Sequence, residues 1–169
     1  MTPQILFYIL IGIILVKFLF DTFLDAQNAK HFNDPIPEEL KGIYNTKEYE
    51  KSQAYKKENY KFSLITSTFS LLLTLLFFIL DGFAYVDEIA RNFTNNTILI
   101  ALIFFGIILF ASDFLTLPFS YYKTFVIEEK FGFNKSTIKT FIFDKIKGWL
   151  LLLIIGGGIL ALLTWFYQL

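Results

Sequence analysis

Four runs of apolar residues, each close to twenty long, leave this chain few ways to fold. A helix rising about 1.5 Å per residue needs roughly 20 mostly apolar residues to cross about 30 Å of hydrocarbon. Ile5–Leu24, Phe62–Leu80, Asn96–Phe119 and Gly148–Leu169 all meet that length, and the charges inside them are Lys17 and Asp21 in the first and Asp113 in the third. Four buried helices of a soluble core would leave too little of a 169-residue chain to cover them, and a mean hydropathy of +0.55 with 55% hydrophobic residues agrees. The expected fold class is an all-α membrane protein: four transmembrane helices forming a single membrane domain over residues 1–169, with amphipathic helices in the first and third connections. The first run has no basic residue before it and is too long for the core of a cleavable signal, so it reads as a membrane anchor.

Orientation follows from the connections. Asp25–Lys61 carries seven lysines, Asp81–Asn95 has Arg91 as its one basic residue, and Tyr121–Lys147 carries six lysines. By the bias of basic loops toward the cytoplasm, the first and third connections (residues 25–61 and 120–147) are cytoplasmic and both termini lie outside. The location expected is a multi-pass place in a bacterial inner membrane, or the endoplasmic reticulum of a eukaryote. Two acceptor sequons, Asn92-Phe93-Thr94 and Asn95-Asn96-Thr97, fall in the outer loop and matter only in a eukaryotic secretory pathway.

Local signals refine the connections. Pro35 and Pro37 make an extended linker after the first span. Asn45-Thr46-Lys47-Glu48 is a capping-box-like start for a helix that carries Tyr49, Tyr55 and Tyr60, with Tyr44 just before it, and runs into the second span. Pro118 bends or ends the third span, and Gly132 breaks the chain. Asn134 or Ser136 then caps a helix bearing Ile138, Phe141, Ile142, Ile146 and Trp149, with Lys135, Lys139 and Lys147 near its other face. This helix is expected to lie along the interface before turning into the fourth span. There, Gly156–Gly158 with Ala161 permit close helix packing, or a hinge.

The chemistry is sparse. With 15 basic and 15 acidic residues the chain has no net charge, so no nucleic-acid partner is indicated, and with no cysteine it has neither disulfides nor thiolate ligands. His31 is the single histidine, no H-E-x-x-H occurs, and a catalytic zinc site needs about three protein ligands. No catalytic or metal-ligating residue is therefore assigned. Glu128 and Glu129 are adjacent and diverge on any regular element, against an acid–base couple. Lys17 and Asp21, spaced i,i+4, read as a local ion pair. Asp113 is the costly residue, since a carboxylate at membrane depth must be paired, protonated or wet. Either it lines a polar chamber or relays a proton, or it sits about 7.5 Å below an end at Pro118 where Ser112, Thr116 or interfacial water satisfies it.

The stretch "LPFSYYKTFVIEEKFGFNKSTIKTFIFDKIKG", Leu117–Gly148, closely resembles the segment between the third and fourth membrane helices of the type I CAAX prenyl proteases and their bacterial relatives, integral-membrane zinc metalloproteases. "TFVIEEKFGFN", Thr124–Asn134, is the most specific part, while "PEEL" (Pro37–Leu40) and "EYEKSQAYKKENYKFSLI" (Glu48–Ile65) resemble the family's first cytoplasmic loop. The resemblance covers essentially the whole chain. It implies the amino-terminal, noncatalytic membrane part of a longer enzyme with about seven membrane helices around a water-filled chamber, whose zinc and catalytic glutamate belong to a downstream metallopeptidase domain. The partners implied are the bilayer, that domain in cis or in trans, and prenylated or membrane-associated polypeptide substrates. Phe125, Glu128, Glu129, Gly132, Phe133 and Asn134 match the family motif and are expected to dock and position the protease domain, unless the loop satisfies only itself. The other reading is a free-standing four-helix scaffold that binds or transports without proteolysis.

Overall fold

The computed structural model describes residues 2–38, 42 and 45–168; Glu39 and Leu40 of the "PEEL" string, Tyr44 and Leu169 lie outside the described residues. Helix is the regular structure throughout them, in the order α1 (Pro3–Ala29), α2 (Thr46–Ile79), α3 (Gly82–Phe93), α4 (Thr97–Tyr122), a π-helical turn at Lys123–Glu128, α5 (Ile138–Leu151), a second π-helical turn at Leu152–Gly156, and α6 (Gly157–Phe166). Four continuous helical segments, Pro3–Ala29, Thr46–Ile79, Thr97–Glu128 and Ile138–Phe166, are long and apolar enough to cross a membrane, and none of their most apolar windows is buried inside the protein. Leaving so many Leu, Ile and Phe side chains in water would cost about 25 cal/mol per Å², a cost that placement in a membrane removes. The four-helix expectation holds, and the chain is an integral multi-pass membrane protein. Contacts divide it into two units, Met1–Leu76 and Phe77–Leu169.

In the first unit, the Thr2 hydroxyl accepts from the Ile5 N–H at 3.3 Å and Pro3 opens α1, where its missing N–H has no consequence. Lys17 donates to Asp21 within that helix, as the spacing predicts. Helix α2 starts where the Asn-x-x-Glu signal places it. The Asn45 side chain accepts from the Lys47 N–H at 3.0 Å and its carbonyl from the Tyr49 N–H at 3.0 Å, and helix then runs unbroken from this polar half into the second span. Phe32, in the turn after α1, meets Tyr60 edge-on with ring centroids 6.0 Å apart.

The second unit opens with a feature the sequence reading missed. Asp81 takes a left-handed conformation (φ 53°), which turns the chain from α2 into α3. Gly82 follows because a Cβ there would fall into the ring of Phe77. Helix α3 packs on α4, burying Val86 (5% exposed) and Ala90 (fully buried), and Phe83 sits between Phe77, Phe78 and Phe104 at centroid distances of 4.7, 5.0 and 6.5 Å. Asn96 caps α4, its side chain accepting from the N–H groups of Ile98 and Leu99 at 3.0 and 3.1 Å.

Three sequence expectations are revised here. Pro118, expected to bend or end the third span, does not end it. The helix runs through it to Tyr122 and on through the π turn, because a proline removes one donor while the later N–H groups keep their partners. Nor does the chain leave helical backbone between the lysine-bearing helix and the fourth span. The Leu152 N–H donates to the carbonyls of Gly148 and Trp149, carrying the ladder past Gly148 into the second π turn and α6. The cap of α5 is Thr137, whose hydroxyl accepts from the Thr140 N–H at 3.2 Å, rather than Asn134 or Ser136.

Candidate functional site

The residues that resemble the protease family's motif lie in the connection between α4 and α5, and its shape follows from local chemistry. The π turn accommodates one more residue than an α turn, and such turns recur at functional sites. Behind it the helix ends in a Schellman cap. The Phe133 N–H donates to the Glu128 carbonyl at 2.8 Å and the Gly132 N–H to the Glu129 carbonyl at 3.0 Å, with Gly132 left-handed at φ 73°. Asn134 locks the exit. Its N–H reaches the Glu128 carbonyl at 3.2 Å, its side-chain amide donates to the Glu129 carboxylate at 2.9 Å, and its side-chain oxygen accepts from the Ser136 N–H at 2.8 Å. Ile127 and Phe131, at 1% and 7% exposed, are the buried pegs of this turn. Of the adjacent Glu128 and Glu129, the Glu129 carboxylate accepts from the Asn134 side chain.

Two sets of contacts join the connection's flanking helices. Tyr121, Phe125 and Phe141 form an aromatic triangle with centroid separations of 4.8, 5.5 and 6.2 Å. Deeper in the span, Asp113 receives two hydrogen bonds from α5: Lys145 Nζ to Oδ1 at 2.7 Å and Trp149 Nε1 to Oδ2 at 2.8 Å. The Lys145 and Asp113 side chains are 26% and 34% exposed, so the pair is largely withdrawn from its surroundings. Trp149 is braced in turn by Phe110 in an edge contact at 5.7 Å. A cavity of about 460 Å³ adjoins the pair, lined by Ser112, Asp113, Thr116, Asp144, Lys145 and Trp149 among others.

The candidate residues thus fall into two places, the cap at 125–134 and Asp113 below it. Sequence reasoning did not connect Lys145 and Trp149 with Asp113. Their i,i+4 spacing, which puts both donors on one helix face, was the available signal. Thr116, one of the neighbours expected to satisfy Asp113, turns to backbone instead: its Oγ1 donates to the carbonyls of Ser112 and Asp113 at 2.9 and 3.2 Å. His31 pairs with Asp34 at 2.7 Å on the surface of the first unit. Among the described residues no group of three or more His, Cys, Asp and Glu that could hold a metal ion occurs. A cavity of about 680 Å³ lies in the first unit beside Asp34, Tyr49, Glu50, Gln53 and Lys57; these residues form no nucleophile–base or metal-ligand set.

The sequence and the arrangement of helices have counterparts among known proteins. Residues 25–169 match the sequence model of the family described as CAAX prenyl protease N-terminal, five membrane helices. The matched segment opens in the last turns of α1, so most of the first span precedes it. The chain is 36% identical over 155 residues to the CAAX prenyl protease 1 homolog of Oryza sativa subsp. japonica, covering 87% of this chain and 36% of that protein. It is 35% identical over 167 residues to the Arabidopsis thaliana homolog, covering 94% and 39%. The crystal structure of S. mikatae Ste24p matches with a TM-score of 0.87 at 32% identity, over 96% of this chain and 39% of that one. The chain therefore spans less than two-fifths of the length of each of these relatives. By its sequence and by its fold it belongs to the CAAX prenyl protease family, as the amino-terminal membrane part of such a protein.

Proposed function

We propose that this chain is the noncatalytic membrane scaffold of a zinc metalloendopeptidase acting on prenylated or other membrane-associated polypeptides. On this reading it forms part of the wall of an intramembrane chamber, with Asp113 as a polar lining residue, and docks the protease domain through Phe125, Glu128, Glu129, Gly132, Phe133 and Asn134. The observation that carries the proposal is the cap itself. A short string of residues is held in one conformation by its own hydrogen bonds, yet leaves Phe133 53% and Val126 42% exposed at the end of a membrane helix, an apolar surface that a following domain would cover. Zinc, on the same reading, is held by that domain. The lysine-rich connections face the cytoplasm, where the docking cap would meet it, and both termini lie on the other side.

The test is to express this chain and the protease segment of its full-length protein as two polypeptides, then measure their co-purification and their joint cleavage of a prenylated peptide. Phe133→Ala and Glu128→Gln should weaken both, and the chain alone should hold no stoichiometric zinc by elemental analysis. Unchanged association and cleavage in both variants would refute the docking role. A native polypeptide of 19.7 kDa with no protease partner would instead favour a free-standing scaffold. Single cysteines at Ser52 and Ser136, introduced into a chain that has none, should label from the cytoplasmic side, and one at Thr94 from the opposite side.

A further inference from the structure

The cap's internal hydrogen bonds fix its shape but not its orientation, because all of them lie between residues 128 and 136. Orientation must come from contacts between the two helices that carry the cap. One such set is the triangle of Tyr121, Phe125 and Phe141, but ring contacts tolerate sliding and rotation. The other is directional. The two donors on Asp113 are 32 and 36 residues away in the chain, and the whole capped connection lies between the acceptor and its donors.

We propose that the Asp113–Lys145–Trp149 tie is a positioning device that sets the register and rotation of α5 against α4, and through them the orientation of the capped connection. A carboxylate is needed because each oxygen accepts from a different donor, one charged and one neutral; an amide in its place has a single acceptor. Lys145 and Trp149 are one helical turn apart, so slipping α5 by one residue, about 1.5 Å along the axis and 100° around it, breaks both bonds together. Two neighbours beside the cavity have other partners. Asp144, the other acid beside the cavity, lies 3.8 Å from Lys147, and Thr116 is engaged by backbone. Trp149 cannot swing freely, because its ring is braced by Phe110. Asp113 then acts through the cap rather than on a reacting group.

What the cap is positioned for rests on the docking function proposed above; that the tie positions it does not. The experiment separates the two. In the full-length protein, free of other reactive cysteine, a nitroxide is placed at Ser136→Cys on the connection, with a control at Glu88→Cys on α3. Its spectrum is read alongside kcat and KM for a prenylated peptide. Asp113→Asn and Lys145→Met should each loosen the Ser136 label and leave the α3 label unchanged. They should also lower kcat by about ten-fold with KM nearly constant, the scale of a modest misplacement. Lys145→Arg should restore both readouts, and Trp149→Phe, which keeps the ring and removes one bond, should loosen the label by less. A loosened label with unchanged turnover would uphold the tie and refute the docking role. A Ser136 label that stays unmoved in Asp113→Asn, Lys145→Met and Trp149→Phe would overturn the tie, whatever happens to turnover.

Discussion

Two glycines of this chain should respond to alanine with opposite signs, and the difference tests the account of the capped connection. Gly132 sits at φ 73° at the left-handed position of the Schellman cap. An alanine forced to remain there costs about 1–2 kcal/mol. The alternative is to let the cap relax, which gives up the Gly132-to-Glu129 and Phe133-to-Glu128 bonds at roughly 1 kcal/mol net each. Both routes cost about the same, so Gly132→Ala should lose about 1–2 kcal/mol, and Gly132→Asn less because Asn tolerates this region. Gly158, in contrast, lies within helical α6, and a Cβ there meets nothing within 4 Å. Gly158→Ala should therefore gain up to about 1 kcal/mol through helix propensity. Unfolding of the purified protein in micelles, by detergent titration and by heating, would read both. For a protein of this size 1 kcal/mol corresponds to roughly 2–4 °C. A neutral Gly132→Ala would refute the cap as a constraint, and a destabilising Gly158→Ala would show that something outside this chain packs against that position.

The Asp113–Lys145 pair should couple in a double-mutant cycle of Asp113→Asn and Lys145→Met by about 1–2 kcal/mol. That lies between exposed pairs and fully buried ones, as its partial exposure requires; additive losses would remove the pair from the energetics. Asn96→Ala deletes the acceptor for two N–H groups at the start of α4 and should cost about 1 kcal/mol, read by the same titration and largely recovered by Asn96→Ser. Gly82→Ala places a methyl group in the ring of Phe77, which Phe83 hems in, so about 1–3 kcal/mol of overpacking is expected. Faster amide exchange in α3 would locate the damage, and unchanged exchange there would refute it.

Properties carried by a single helix were legible in the sequence. Runs of apolar residues gave four spans because length and hydropathy need no partner to be read. The start of α2 at Thr46 and the Lys17–Asp21 pair were equally local. What escaped depends on two elements at once. Helix α3 carries Phe83, Val86 and Ala90 at helical spacing, yet in a short polar connection that pattern has meaning once α4 is there to cover it. Asp113 was recognised as costly, but its solution lay 32 and 36 residues downstream. Which residue of α5 stands opposite it is set by the length of the intervening connection, including the extra residue of the π turn. Propensity and periodicity do not count that residue, so no reading of either helix alone could set the register.

The same distinction sorts five of the six residues singled out for docking. Gly132 and Asn134 are committed to building the cap, and Glu129 holds Asn134 in place. Phe125 reaches across to Tyr121 and Phe141. Their substitution would disturb recognition by deforming the connection, and conservative replacements should recover it. Phe133 differs: its N–H closes the cap while more than half of its surface stays exposed. A backbone bond survives any side-chain change. Phe133→Ala should therefore cost the membrane part less stability than Gly132→Ala does while weakening the binding of any domain that covers the ring, whereas Gly132→Ala should weaken both. If Phe133→Ala destabilises the isolated membrane part as much as Gly132→Ala does, the ring serves the cap and the exposed surface is not a docking surface.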